Sequence, residues 1–162
     1  MDFKDLARRL AGAGVLAVCA HAQGQTPSTF GTVIGGGILC RDQIANHYFY
    51  NYLKGNFDKP YKREGGAYWF RAPDAQLWGF PVMELMVSDE SYPYSFVGAV
   101  LDAAPDKLEE AIRLQDGIRF SAIGGSARFP VKETNTGTRI VFANNRAKIF
   151  CAKFKSLPPA LR

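Results

Sequence analysis

Past residue 22 the chain carries one histidine, His47. A single imidazole excludes multi-histidine metal sites and leaves any Ser-His-Asp or Cys-His scheme with one possible base. No nucleophile is signalled beside His47, and a packed or half-exposed helical histidine is its ordinary state. Glu84 is the one acidic residue inside an apolar strand pattern, lying between Val82 and Met86. If its face is covered, the carboxylate needs a partner such as Arg71 or a raised pKa, and a raised carboxylate can serve as a general acid. A salt-bridged or solvent-facing glutamate is the commoner outcome. Asp89-Glu90 and Glu109-Glu110 are adjacent pairs whose side chains diverge, so neither is a ready acid and base. Gly35-Gly36-Gly37 could cradle an anion on backbone N–H groups, but no Lys-Ser/Thr pair and no G-x-G-x-x-G follows. No cofactor and no metal site is expected.

Binding chemistry is better represented. Of 21 aromatic residues, 14 lie between Tyr48 and Phe96, and Lys54, Lys59, Lys62, Arg63 and Arg71 are interleaved with them. Trp, Tyr and Arg are the usual anchors of interfaces, and their rings also stack on sugars. The expected binding surface is Tyr61, Lys62, Arg63, Tyr68, Trp69, Arg71 and Trp78, with Phe49, Phe80 and Phe96 assigned to the core.

Cys40 and Cys151 are the two cysteines left once Cys19 is assigned to a leader, and they are expected to pair, since an even count in an exported chain reads as a disulfide. A bridged sulfur cannot act as a nucleophile. The leader is residues 1–22: Lys4, Arg8 and Arg9 are basic, Leu10 to Ala20 is uncharged and apolar, and Ala20-His21-Ala22 offers a small-x-small cleavage site. A first amphipathic helix is the alternative. Arg8-Arg9 is a twin arginine without the rest of a Tat signal, and Leu16-Ala17-Val18-Cys19 is an imperfect lipoprotein box. Three of the 20 basic and two of the 15 acidic residues fall in the leader, which leaves a net charge of +4. That favours anionic surfaces and falls short of a nucleic-acid binder.

The elements that must position these residues follow from periodicity. Residues 23–37 are rich in Gly, Ser and Thr and read as a flexible N-terminal segment. A helix is predicted over Ile38 to Lys54, from the i, i+4 rows Cys40, Ile44, Tyr48, Tyr52 and Ala45, Phe49, Leu53. The stretch 56–66 reads as a loop. Strands are predicted over 67–71, 78–87 and 94–101, with Pro81 marking an edge or bulge and 88–93 a hairpin loop. A second helix over 102–117 has Pro105 in its first turn, Leu108, Ala111, Ile112 and Leu114 as its stripe, Glu109–Arg113 as an i, i+4 pair and Gly117 after its end. Strands at 118–123, 127–133, 139–143 and 147–154 form an antiparallel meander, and 155–162 is a tail.

Runs of strands between helices indicate an α+β fold: two helices on one face of a mostly antiparallel sheet of about six strands, in one domain over 38–154. The expected function is a small exported binding protein of the cell envelope, periplasmic or secreted, engaging an envelope or secreted protein or an anionic glycan and not nucleic acid. The alternative is a small periplasmic hydrolase or lyase using His47, Glu84 or both.

Overall fold

The computed structural model describes residues 26–43, 45–143 and 146–155. The leader of residues 1–22 with Arg8, Arg9 and Cys19, the turn residues Asn144 and Asn145, and the tail beyond 155 lie outside the described residues.

The described residues open with a helical segment, π-bonded over Gly31–Gly35 and continuing as α1 (Gly36–Ile38), followed by α2 (Asn46–Asn56). Next come β1 (Lys62–Glu64), β2 (Ala67–Phe70), β3 (Gln76–Leu77), β4 (Phe80–Ser88) and β5 (Tyr94–Leu101). Helix α3 (Pro105–Asp116) then leads to β6 (Ser121–Gly125), β7 (Pro130–Glu133), β8 (Thr138–Ala143) and β9 (Arg146–Phe154). All nine strands form one antiparallel sheet in the order β1-β2-β4-β5-β9-β8-β7-β6, with β3 against β4. The meander β6 to β9 is the one the turn residues predict. Its last strand pairs with β5 over eight residues, and this long ladder joins the two halves of the chain.

The α+β class stands, with three helices instead of two and nine strands instead of about six among the described residues. Beyond the seven segments predicted as strands, β1 and β3 are too short to show a period of two, and β1 lies in the stretch read as a loop. Residues 31–37, expected to be flexible, are helical and run on into Ile38, with Phe30, Ile34 and Ile38 buried in the core at i, i+4 spacing. The glycines there allow close packing: a Cβ on Gly37 would lie 2.5 Å from the Phe49 ring and 3.2 Å from Val97. The single helix predicted over 38–54 is divided, because Cys40 takes a positive φ of 55° and α2 begins only at Asn46. Trp78, predicted to start a strand, instead turns the chain with Gly79 at φ 52° and 81°. The bulge anticipated near Pro81 falls between Val82 and Glu84.

The main core cluster lies on one face of the sheet, while Met86 and Val100 of the two central strands are buried on the other. In β9 the inward residues Ala147, Ile149 and Cys151 are buried while their neighbours are not, the alternation of a sheet covered on one face. Val97, Ala99 and Leu101 of β5 face the same way and meet Ile34, Ile38, Phe49 and Leu53 from the N-terminal helices and Leu108 and Ile112 from α3. All three helices therefore pack on one face. Leu114, assigned to the α3 stripe, is exposed, since two residues beyond buried Ile112 it lies on the opposite side of the helix. Glu110, not Glu109, pairs with Arg113, because Lys132 on β7 reaches across to Glu109 and Asp106.

Cys40 and Cys151 are bonded, with Cα atoms 5.4 Å apart across 111 residues of sequence. The bond ties the loop after α1, not the start of a long helix, to the centre of the sheet. Among the described residues no helix is long and apolar enough to cross a membrane.

Candidate functional site

Strand pairing aligns one row of side chains across the helix-free face: Lys62, Trp69, Met86, Gly98, Phe150, Arg139 and Glu133, from seven adjacent positions in register. The neighbouring row runs Glu84, Val100, Lys148, Val141. Gly98 is the low point. A Cβ there would lie 2.4 Å from Met86 Cε and 2.7 Å from the Ile149 carbonyl, so only glycine lets Met86 lie across β5.

Trp69 sits between two lysines. The Lys62 Nζ is 4.4 Å and the Lys148 Nζ 5.4 Å from its ring centroid, and Lys148 is also 6.0 Å from the Phe150 ring. The indole N–H of Trp69 donates to the Glu64 carbonyl at 3.1 Å, which fixes the ring's orientation. Such ammonium–ring contacts contribute about 0.5–1 kcal/mol when exposed and more when desolvated. Lys148 makes no side-chain hydrogen bond or ion pair with another described residue. Burial pushes its pKa down, Glu84 opposes the shift and Lys62 adds to it. An ammonium held against rings without a counter-ion attracts an anion.

Beyond Lys148 lies a groove of about 600 Å³, within the range of small-molecule sites. Met86, Phe96, Phe150 and Ala152 form its apolar floor, Tyr92 and Tyr94 one wall, and Arg139 with Glu133 the other. Tyr92 meets Phe96 edge-on at 5.6 Å between centroids, and Gly66 at φ 74° leaves the space the Tyr92 ring fills. The Arg139 Nε donates to Glu133, which leaves the rest of the guanidinium for other partners.

Of the residues expected at a binding surface, only Lys62 and Trp69 stand on this face together. Tyr61 lies at its margin, donating its hydroxyl to Glu84 and stacking under Arg71 at 5.0 Å. Burial and that hydrogen bond raise the phenol's pKa. Glu84 thus takes Tyr61 and, at 4.0 Å, Lys62 as partners rather than Arg71. Tyr61, Arg71 and Glu84 line a second concavity with Arg146. Arg63 and Tyr68 point to the helix side, where Arg63 donates to Asp89 at 2.7 Å and the Tyr68 hydroxyl to Glu90 at 3.0 Å. Trp78 is remote from all of these: its N–H donates to Asp116 at 2.8 Å, beside the Arg41–Asp116 pair, and closes α3 onto the β3–β4 turn. Phe49 is a core residue, as expected; Phe80 is half-buried and packs against that core, while Phe96 is half-buried on the helix-free face. His47 is exposed on α2, across the sheet from Glu84, so the two do not share a pocket.

Lys148, Phe150, Tyr92, Tyr94 and Arg139 were not legible as site residues. The alternation of β9 does carry a signal, since Lys148, Phe150 and Ala152 all oppose its buried face. What it lacks is the identity of the neighbouring strands.

No family model, curated protein or solved structure matches this chain at a significant level.

Proposed function

We propose that the protein is an exported, non-enzymatic binding module, periplasmic or secreted, which engages an envelope or secreted protein or an anionic glycan through the helix-free face of its sheet. One observation carries this: Trp69 held between Lys62 and Lys148 on a face that no described element covers. A row with an aromatic anchor and ammonium groups suits an anionic partner. The leader pattern of residues 1–22 and the Cys40–Cys151 bond support export, because disulfides persist in oxidising compartments. A hydrolase or lyase built on His47 and Glu84 together loses its basis, since a shared reaction needs both groups within hydrogen-bond reach of one substrate.

The test is retention of the oxidised protein on an immobilised uronate polysaccharide and on immobilised envelope proteins, compared with Lys62→Ala and Trp69→Ala. Retention of the wild type that falls at least tenfold in the variants, with folding intact by circular dichroism, supports the assignment. Equal retention of all three proteins removes this face from consideration.

A further inference from the structure

We propose that the groove beside Trp69 binds a small amphiphile, an apolar chain or ring ending in a single carboxylate, with Lys148 receiving the carboxylate. The inference rests on the helix-free face being the ligand face and goes beyond it by giving the groove at one end of that face a small ligand of its own. From Lys148 to Ala152 the groove follows β9 for about 13 Å, the rise of four strand residues. Its floor along that length is Met86, Phe96, Phe150 and Ala152, which offer no hydrogen bonds to sugar hydroxyls and favour methylene or ring carbons.

Charge selects the head group. Lys148 and Arg139 are opposed inside the groove by Glu133 alone, a balance of one positive charge. A monoanion neutralises that charge. Lys148 stands at the end of the apolar floor and makes no ion pair with another described residue, so a carboxylate arriving there gains an ammonium already stripped of part of its water. Trp69, 5.4 Å from that ammonium, is placed to report the event.

Decanoate, phenylpropanoate, decanol and decyltrimethylammonium, each kept below its micellar concentration, would be titrated into the full oxidised protein by calorimetry and by tryptophan fluorescence, with Trp78→Phe isolating the Trp69 signal. Decanoate or phenylpropanoate is expected to bind at least tenfold more tightly than decanol, and the cation not at all. The two acids separate a chain-shaped from a ring-shaped ligand. Lys148→Met should reduce carboxylate affinity to that of decanol while Lys148→Arg retains most of it. The comparison of acid with alcohol uses the wild type alone and so does not depend on a variant folding. Equal affinity for decanoate and decanol, or carboxylate binding unchanged in Lys148→Met, overturns the proposal. Failure of both acids to bind, alongside retention on a uronate polymer that Trp69→Ala abolishes, overturns the amphiphile and leaves the binding face standing. Failure of the acids together with loss of all Trp69-dependent retention overturns both.

Discussion

Asp89 offers a quantitative handle on how the binding face is held. It is 3% exposed, yet four donors surround its carboxylate: the Ser91 amide at 2.9 Å, the Ser91 hydroxyl at 2.7 Å, the Tyr92 amide at 3.1 Å and the Arg63 Nε at 2.7 Å. These bonds shape the β4–β5 hairpin that presents Tyr92 and Tyr94 to the groove. The Ser91 hydroxyl first, and Arg63 after it, outweigh burial and hold the Asp89 pKa at about 2 against an ordinary 3.8. At ~1.4 kcal/mol per pKa unit this is about 2 kcal/mol of stability. Because the folded-state value lies below the unfolded one, the contribution is complete above the unfolded pKa near 3.8 and disappears as pH falls through about 2. Asp89→Asn removes the charge and sets an amide NH₂ against a donor, at a cost of about 2–4 kcal/mol at neutral pH. Urea unfolding of wild type and variant should show midpoints about 1–2 M apart at neutral pH. The gap in free energy should narrow by about 2 kcal/mol on acidification to the folded-state pKa, as the wild type loses its charge. Other carboxylates titrate alike in both proteins and cancel. A gap that stays constant over that range would refute the account of Asp89 as the ionised organiser of the hairpin.

Removing the disulfide with Cys40→Ala and Cys151→Ala releases a 111-residue span and should cost about 4–5 kcal/mol by loop-closure entropy, measured by urea unfolding against the oxidised wild type. A loss below about 1 kcal/mol would contradict that role. Gly98→Ala should destabilise by about 1–3 kcal/mol, because its Cβ would meet the Ile149 carbonyl, which is backbone in the longest ladder of the sheet. Trp69 fluorescence should shift in the same variant, since Met86 beside Trp69 must move; an unchanged spectrum and midpoint would show that the sheet yields there freely.

Where local chemistry decides an element, the sequence was a sufficient guide. Helix α3 begins at Pro105 and ends before Gly117 because a proline suits the first turn and a glycine the left-handed cap at φ 70°. The strand β5 occupies residues 94–101 as its apolar run indicated. The Cys40–Cys151 pairing follows from there being no other partner outside the leader. Beyond such places, contacts distant in sequence prevailed. Gly35 to Gly37 looked flexible because composition records their missing side chains and not the Phe49 ring that needs the space. Glu109 turned to Lys132, and β1 and β3 exist because β2 and β4 offer them free edges.

The candidate site divides in the same way. Trp69 and Lys62 were recognisable as an aromatic next to a cation, residue types that favour recognition wherever they are exposed. That Arg63, Tyr68 and Trp78 would be spent on Asp89, Glu90 and Asp116 was not, since each partner lies more than 20 residues away. Lys148 entered the site only through the register β2-β4-β5-β9, which brings residues 69, 86, 98 and 150 abreast and sets Lys148 against the indole. The sequence by itself determined the α+β class, the disulfide pair and the aromatic bias, because these depend on composition and short-range pattern. Which aromatics face a ligand and which brace the fold was decided by strand order and by the helices covering one face, and both are properties of the assembled chain.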